Sequence, residues 1–458
     1  MEKRKRKKLP VILAVIAALL AVSCLAVFVL RACGGAAQPT VTFNKAQRGP
    51  GPAKITAYPD AAFAVISDIH LYDASLGTEG AAFEEVLYSD RKLLRDSADL
   101  LDYAIDEIIA SGVRFVLISG DLTKDGELAC HTLAAEKFGK LTDNGINVYV
   151  VPGNHDVNNP DAESYSGDTA SHVDSISADD FARIYADFGY GGAIRRDDES
   201  LSYVAEPADG LWLLAIDSCR YRENQPGQKE IVGGRINQDT ADWIASVLAD
   251  AEKMDKAVVA MMHHGVAEHW TGQSKLHPDY LVEGYSDFGE FLASYGARAV
   301  FTGHYHALDI TRADFDGGYI YDIETGSLIT APCPIRYVSL KGGEMAVRSD
   351  VIAGKLRPGT DFEPEAAAFV KATVMKEAAA TLKKYFVSDK DAAVIAGAVG
   401  DAFAAHYSGD EDPAQRPPLD ESALSLWGRI VLSTQKYVLD GLWADLPPAD
   451  VNVTLPLG

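Results

Sequence analysis

Five short polar clusters in this sequence contain residue types that bind metal ions, and each cluster directly follows an apolar run. The clusters are Asp68-Ile69-His70, Gly120-Asp121, Gly153-Asn154-His155-Asp156, Met262-His263-His264 and Gly303-His304-Tyr305-His306. Six of the 11 histidines of the chain lie in these clusters. Because carboxylates, amide oxygens and imidazoles are all metal ligands, the clusters predict metal chemistry.

The clusters offer more ligands than a single ion needs. Two carboxylates (Asp68 and Asp121), the amide oxygen of Asn154 and at least four imidazoles exceed the set that one four-coordinate ion takes. Such a set suits two neighbouring divalent ions that share one carboxylate, an arrangement that catalyses phosphoryl transfer. The mixture of nitrogen and oxygen ligands favours Mn, Fe or Zn over Ca or Mg. The sequence therefore predicts hydrolysis of a phosphate ester by a hydroxide that bridges two ions.

Alternating strands and helices must bring these clusters together. Strands are predicted for the apolar runs 63–66, 115–118, 148–151, 211–216, 257–262 and 299–301, and helices for about 96–110, 128–141 and 238–251. The runs lack a polar–apolar alternation, which is typical of strands that are buried on both faces. Since ligands of α/β sheets collect at the carboxyl ends of strands, we expect the clusters to meet at one edge.

The order of these motifs is similar to that in a known enzyme family. Asp-x-His, Gly-Asp, Gly-Asn-His-Asp, a histidine-containing block and Gly-His-x-His resemble the motifs of the calcineurin-like metallophosphoesterases. The resemblance covers residues 59–350 and implies an α/β fold for them, a four-layer αββα metallophosphoesterase sandwich. It also implies two divalent or trivalent metal ions at the strand ends.

The resemblance further implies a role for each residue of the motifs. The metal ligands that it implies are Asp68, His70 and His306 for one ion, Asn154, His304 and His263 or His264 for the other, and Asp121 as the bridge. The apolar run before the histidine pair favours His263 as the ligand, with His264 behind it. His155 resembles the acid that assists the leaving oxygen, and Asp156 is expected to hold the other nitrogen of its ring.

Several segments resemble the cyclic-nucleotide phosphodiesterase branch of this family, among them 122–127 and 325–327. A diester carries one negative charge, which suits a site in an acidic protein. Substrate contacts are expected from Tyr72, His131, Trp270 and Tyr305. Two alternatives remain: a broad phosphomonoesterase or nucleotidase with the same metal ions, and a non-catalytic surface receptor for a phosphate ligand.

The charge of the chain limits its partners. The formal net charge is −24 at pH 7. A chain this acidic is a poor partner for duplex nucleic acid, and it repels phosphate substrates unless bound cations reverse the field locally. The expected partners are a small phosphate-ester substrate and, through the N-terminus, a membrane. The sequence assigns no oligomeric state.

The N-terminus has the pattern of a membrane anchor. Residues 11–30 carry no charge and are long enough to span a bilayer, and the basic tail, 1–10, marks the cytoplasmic side. We therefore expect a single-pass protein of the cell membrane with an extracellular catalytic domain, joined by a flexible linker, 31–58. The alternative is a lipoprotein anchored through Cys24, because residues 20–24 resemble a loose lipobox.

The pattern changes after the catalytic part. A linker rich in proline and glycine precedes predicted helices at about 365–386, 389–406 and 419–439. Residues 360–458 are therefore predicted to form a small α-helical domain that packs on the catalytic domain. The last helix carries an apolar stripe that is expected to face the core, formed by Leu424, Trp427, Ile430 and Val431.

Overall fold

The computed structural model describes residues 40–46 and 53–458. In these residues it has two large mixed β-sheets, a small two-stranded sheet, and helices around them. The strands are β1 (Ala61–Ile66), β2 (Phe115–Ile118), β3 (Asn147–Val150), β4 (Glu163–Ser166), β5 (Thr169–His172), β6 (Arg195–Arg196), β7 (Tyr203–Ala208), β8 (Leu211–Ala215), β9 (Ala257–Met261), β10 (Ala299–Thr302), β11 (Asp309–Phe315), β12 (Gly318–Glu324), β13 (Pro334–Lys341), β14 (Glu344–Val351) and β15 (Asn452–Pro456). The α-helices are α1 (Ala81–Leu87), α2 (Ser97–Ser111), α3 (Leu128–Asp143), α4 (Ala178–Ile184), α5 (Gln238–Lys253), α6 (Gln273–Leu276), α7 (Tyr285–Ser294), α8 (Ala353–Leu356), α9 (Phe362–Lys384), α10 (Asp389–Ser408) and α11 (Leu426–Leu442). Residues 43–458 form one unit, and residues 40–42 belong to an N-terminal unit.

Parallel strands form the centre of each large sheet. The first sheet has the order β15-β14-β13-β1-β2-β3, with β1, β2 and β3 parallel. The second has the order β11-β12-β10-β9-β8-β7-β6, with β8, β9, β10 and β12 parallel. All six apolar runs that were predicted as strands belong to these sheets, so that prediction is confirmed. The parallel strands bring the polar clusters to their carboxyl ends.

The main core includes side chains of both sheets. Phe63 of β1 stacks on Phe115 of β2 with ring centroids 4.7 Å apart, and it meets Phe301 of β10 edge-on at 5.3 Å. Every residue of β2, β8 and β9 is buried, which explains why these runs lack alternation. Each large apolar side chain buried in this way stabilises the fold by about 1.5–3 kcal/mol.

The connecting helices bury one apolar stripe each. Helix α2 buries Leu101, Ile105 and Ile108 at helical spacing, and its C-terminus is followed by Gly112 in the left-handed conformation (φ 75°). The predicted helices at 96–110, 128–141 and 238–251 are α2, α3 and α5, with small shifts at their ends. These helices were predictable because their apolar residues recur every three or four positions.

The three long C-terminal helices share an apolar core with residues of the sheets' loops, including Trp270, Tyr305 and Ala307. Helix α11 begins at Leu426, later than predicted, because residues 421–423 form a separate 3₁₀ turn. The predicted stripe is wrong for two of its four members, since Trp427 and Ile430 are 40% and 44% exposed. The buried face instead runs through residues 431, 432, 438, 439 and 442.

Two further findings concern the ends of the chain. The C-terminal strand β15 pairs antiparallel with β14 and extends the first sheet, which the sequence analysis did not predict. A five-residue edge strand carries too little pattern to be recognised. Within residues 40–46 and 53–458, no helix is long and apolar enough to cross a membrane. The predicted anchor, 11–30, and Cys24 lie outside the described residues.

Candidate metal centre

The polar clusters that follow β1, β2, β3, β9 and β10 meet at one place. Three groups of potential ligand atoms lie there, and within each group all atoms are within 4.8 Å of one another. The groups are Asp68, His70 and His306; His70, Asp121 and His155; and Asp121, His263 and His304. Because the groups share members, they form one continuous centre with Asp121 in the middle.

Asp121 has the geometry of a bridging ligand. Its Oδ2 atom lies 3.5 Å from Nε2 of His70 and 3.3 Å from Nε2 of His263. Its Oδ1 atom accepts a hydrogen bond of 3.0 Å from the backbone N–H of His155. This bond fixes the carboxylate so that one oxygen faces both halves of the centre.

The first half of the centre is formed by two histidines and a carboxylate. Oδ1 of Asp68 lies 3.3 Å from Nε2 of His306, and the Nε2 atoms of His306 and His70 are 3.4 Å apart. Asp68 is held by the hydroxyl of Ser67, which donates to Oδ2 at 2.6 Å, and by the backbone N–H of His304 at 3.0 Å. Three donor atoms therefore converge, as a metal ion requires.

The second half uses His263 and leaves His264 behind it. Nδ1 of His263 lies 2.8 Å from the backbone oxygen of Ser119, so Nε2 faces Asp121 and the side-chain oxygen of Asn154 at 3.3 Å. Both nitrogens of His264 lie beside other groups. They are 2.8 Å from the Ser218 hydroxyl and 2.9 Å from the backbone oxygen at position 232. The geometry therefore favours His263 over His264 as the ligand.

The remaining histidine of this half is His304. Its Nε2 atom lies 3.3 Å from the backbone oxygen of Asp279, which leaves Nδ1 for an ion. Burial holds the pKa of His70 and of His304 well below the ordinary value, so both are neutral, the form that binds metals. Burial also opposes protonation of His263, but Asp121 outweighs it and raises that pKa to about 9. A proton and a metal ion therefore compete for Nε2 of His263.

The backbone of the centre is strained, which is common where ligands must converge. Five of the predicted ligands have positive φ angles, from 39° to 76°: Asp68, His70, Asp121, His304 and His306. Glycine is required at two of the motif positions. A Cβ atom on Gly153 would lie 2.0 Å from Oδ1 of Asp121, and one on Gly303 would lie 2.0 Å from the Ser67 hydroxyl.

His155 lies beside the ligands, with its ring 4.9 Å from that of His70. Its Nδ1 atom is 2.8 Å from Oδ1 of Asp125, so Nε2 is left for a substrate. Burial and Lys92 lower the pKa of His155, but Asp121 and Asp125 outweigh them and raise it to about 9. A histidine held protonated in this way can donate a proton.

The partner of His155 is a correction to the sequence analysis, which assigned this role to Asp156. The Asp156 carboxylate instead accepts hydrogen bonds from the backbone N–H groups of Leu122, Thr123 and Gly153, at 2.8 to 3.0 Å. It therefore ties the loop after β2 to the loop after β3. Asp125 lies in the 122–127 segment that was singled out for its resemblance, but nothing in the sequence shows which of its acids reaches His155.

The substrate contacts expected of Tyr72 and Tyr305 gain no support, because both side chains are only 4% exposed. The Tyr72 hydroxyl donates to the backbone oxygen of Gly77, and the Tyr305 hydroxyl accepts from the indole N–H of Trp270 at 3.1 Å. Trp270 and His131 are buried as well. The aromatic side chain that does border the centre is Tyr280, which is half-buried and has its ring 4.6 Å from that of His304.

The family model for calcineurin-like phosphoesterases matches residues 61–308, which is more than half of the chain. The chain belongs to the calcineurin-like phosphoesterase family. It is therefore a metal-dependent hydrolase of phosphate esters, and the family implies two metal ions. The donor set described above fits such a pair. A search of the curated proteins finds no match.

Three solved structures match this chain at low sequence identity. A dimetal phosphatase from Danio rerio has 17% identity over 64% of this chain and 97% of its own, with a TM-score of 0.46. Purple acid phosphatase PPD1 from yellow lupin (Lupinus luteus) seeds has 11% identity over 66% of this chain and 52% of its own, with a TM-score of 0.38. A Streptococcus pneumoniae protein described as a predicted phosphoesterase has 11% identity over 66% and 96%, with a TM-score of 0.27. These likenesses assign neither a substrate nor a residue.

Proposed function

We propose that this protein is a phosphodiesterase that hydrolyses cyclic nucleotides at the centre around Asp121, with the four-layer sandwich of its family as scaffold. The proposed hydrolysis rests on the position of Oδ2 of Asp121, which lies 3.5 Å from Nε2 of His70 and 3.3 Å from Nε2 of His263. Two ions held there by the ligands described above supply charge neutralisation and an activated water. The remaining chemistry belongs to the side chains of the chain itself.

His155 is proposed to give a proton to the departing oxygen. Its Nδ1 atom is held by Asp125, which fixes the ring and leaves Nε2 toward the substrate side. The side chain is 17% exposed, so a substrate can reach it. The Asp125 carboxylate beside Nδ1 raises the pKa of His155 and so favours the protonated ring that a general acid needs.

The charges around the centre support a diester substrate. Lys92 is close enough to lower the pKa of His70 and His155, but its ammonium group is paired with Asp90 at 2.9 Å. Arg91 lies 3.8 Å from Asp90 and 3.9 Å from Glu377, and it donates to the neutral Tyr407 hydroxyl at 2.9 Å. Both cations thus lie beside carboxylates, which suits the single charge of a diester better than the double charge of a monoester.

Tyr280 supports a nucleotide as the substrate. Its half-buried ring borders His304, at 36° to that imidazole, and it is supported from behind by Tyr305 at 4.9 Å. His277, also half-buried, lies edge-on to Tyr280 at 5.5 Å. An aromatic face beside the ligands can stack on a nucleobase, which contributes about 1–3 kcal/mol of binding free energy.

The first prediction concerns the substrate. Full-length protein in detergent, supplied with Mn²⁺, is expected to hydrolyse bis-p-nitrophenyl phosphate and a cyclic nucleotide faster than p-nitrophenyl phosphate. Tyr280→Ala is expected to raise KM for the cyclic nucleotide about tenfold, as the loss of one stacked base predicts. The measurement is steady-state kinetics, with glycerol 1,2-cyclic phosphate as a cyclic diester that has no base.

The controls separate the two parts of this proposal. KM for glycerol 1,2-cyclic phosphate should be unchanged in Tyr280→Ala, and Tyr285→Ala in helix α7 serves as the matched aromatic substitution. A preference for the monoester would move the protein to the phosphomonoesterase or nucleotidase alternative. Metal binding without any turnover would favour the receptor alternative.

The second prediction concerns location. We propose that residues 11–30 anchor the protein in the cell membrane with the catalytic part outside, on the support of their uncharged apolar composition and the basic tail before them. Detergent-free fractionation is expected to find the full-length chain in the membrane pellet. The double variant Ile16→Arg/Leu20→Arg should move to the soluble fraction, since each central arginine costs about 2.5–3.5 kcal/mol of insertion free energy.

The same fractionation can rule out a membrane anchor, and a further experiment tests the alternative anchor, a lipid on Cys24. A wild-type chain that is soluble without detergent would rule out the anchor. If the anchor is a lipid on Cys24, the wild-type protein should incorporate a labelled fatty acid and Cys24→Ala should not, whereas a spanning segment would carry no label in either protein.

A further inference from the structure

A second cluster of metal-binding side chains lies where the C-terminal helices meet the second sheet. We call it the junction cluster and define it by Asp309, His406, Glu411 and Asp445. Asp309 is the first residue of β11, His406 lies near the end of α10, and Glu411 follows in the loop after that helix. The residues thus come from parts of the chain that are about 100 positions apart in sequence.

Three members of the cluster converge on one point. Nδ1 of His406 lies 3.9 Å from Oδ2 of Asp309 and is hydrogen-bonded to Oε1 of Glu411. The donor atoms of these three residues all lie within 4.8 Å of one another, and each side chain is only 1% exposed. Donors on opposite sides of one ion are about 4–5 Å apart at bonds of about 2.0–2.5 Å, so the group has the size of a metal site.

Buried carboxylate oxygens in this cluster have no protein partner. Oδ1 of Asp309 is 2.6 Å from Nδ1 of His269, but Oδ2 makes no hydrogen bond. Oε2 of Glu411 and Oδ1 of Asp445 are buried without a hydrogen bond as well. Leaving one such oxygen unsatisfied costs about 1–3 kcal/mol, and more when it is charged. Two of them belong to Asp309 and Glu411, whose donor atoms lie within 4.8 Å of each other, and this is evidence for a cation that completes them.

The charges around the cluster also favour a bound cation. Two more buried carboxylates, Asp322 and Glu324, lie within 3.5 Å of His269 and share that one imidazole with Asp309. The buried guanidinium of Arg336 donates to backbone oxygens and a serine rather than to any of these carboxylates. Acids therefore outnumber the cations that pair with them.

We propose that the junction cluster binds a third divalent cation, separate from the catalytic pair, through Asp309, His406 and Glu411. Two carboxylates and one imidazole suit Mn²⁺ or Zn²⁺ better than Ca²⁺, which prefers oxygen alone. The ion joins the end of α10 and the loop after it to the start of β11. The ring of His406 lies 5.6 Å from that of Tyr305, which stands between His304 and His306 in the sequence. The proposed ion therefore lies behind the catalytic centre rather than in it.

The third prediction is a count of metal ions. Full-length protein is loaded with Mn²⁺ in detergent, freed of excess metal on a desalting column and analysed by inductively coupled plasma mass spectrometry. Wild-type protein is expected to retain three ions per chain and Glu411→Gln two, with phosphodiester turnover changed less than about threefold because the catalytic ligands are intact. Glu421→Gln, an exposed glutamate of the same region, should retain three ions.

A second pair of variants decides the question if Glu411→Gln does not fold. Asp68→Ala/Asp121→Ala removes one carboxylate from each half of the catalytic centre, and it should retain one ion. Adding His406→Gln to this double variant should remove that ion. Two ions in both the wild type and Glu411→Gln, or none in the double variant, would overturn the proposal. An inactive wild type that still binds the third ion would instead count against the proposed function.

Discussion

Asp121→Ala is expected to lower kcat/KM for phosphodiester hydrolysis by about 10³-fold or more. The Oδ2 atom of Asp121 faces His70 and His263 at once, so the substitution removes a ligand from both halves of the centre. Metal ions contribute several kcal/mol to catalysis of phosphoryl transfer, and about 1.4 kcal/mol corresponds to a tenfold change in rate. The measurement is initial rates on bis-p-nitrophenyl phosphate over a range of Mn²⁺ concentrations.

The effect should be specific to this aspartate. Asp106→Ala changes an exposed carboxylate on helix α2 and is expected to leave kcat/KM unchanged. The metal count of Asp121→Ala should fall by at least one ion per chain, while its circular dichroism spectrum stays that of the wild type. Full activity in Asp121→Ala would contradict the assignment of the centre.

His155→Ala is expected to lower kcat on a cyclic nucleotide by about 10³-fold, within the range that general acid catalysis contributes. The loss should depend on the leaving group. An alkoxide needs a proton when it departs, whereas p-nitrophenolate is stable without one. The same variant should therefore lose less than about tenfold on bis-p-nitrophenyl phosphate. Measuring kcat on both substrates with one enzyme preparation tests the role directly.

Two further variants test how His155 is held. Asp125→Asn keeps the shape of the partner but removes its charge, and it should reduce cyclic-nucleotide turnover less than His155→Ala, with the metal count unchanged. His172→Ala, on the exposed strand β5, serves as the matched histidine and should be silent. Equal losses on both substrates in His155→Ala would show that His155 binds the phosphate rather than donating a proton.

The strands and the meeting point of the polar motifs could be predicted from the sequence. The six apolar runs are strands because each is short and rich in β-branched and large apolar residues, and five of them are fully buried, whereas Tyr149 in β3 is only partly buried. The polar motifs end these strands, so their convergence follows from the fold. Glycines at 153 and 303 are part of the motifs because a Cβ atom there would collide with Asp121 or Ser67.

Contacts between loops could not be predicted in the same way. Asp156 follows His155 directly and was expected to hold its ring, yet its carboxylate turns to three backbone N–H groups and Asp125 reaches the imidazole instead. Tyr72 lies two positions after His70, and Tyr305 lies between His304 and His306. These three histidines have positive φ angles, so their segments are not regular strands and no alternation predicts which way the tyrosines face. Both tyrosines are buried.

Contacts between residues that are far apart in the chain could not be predicted from the sequence either. The junction cluster joins Asp309 to His406, Glu411 and Asp445, and none of these residues follows a recognisable motif. Tyr280 lies in a short 3₁₀ turn whose position over His304 depends on the packing of the C-terminal helices. Such sites depend on which loops the fold brings together, and local sequence patterns do not predict these contacts.

Electron paramagnetic resonance of the Mn²⁺-loaded protein tests the central claim most directly, that Asp121 joins two ions in one centre. The Glu411→Gln background removes the proposed junction ion, so only ions of the candidate centre contribute to the spectrum. We predict the signal of two magnetically coupled Mn²⁺ ions, and its loss in Glu411→Gln/Asp121→Ala. A six-line spectrum of isolated Mn²⁺ in the Glu411→Gln protein would show ions that do not share a bridge, and it would contradict the account.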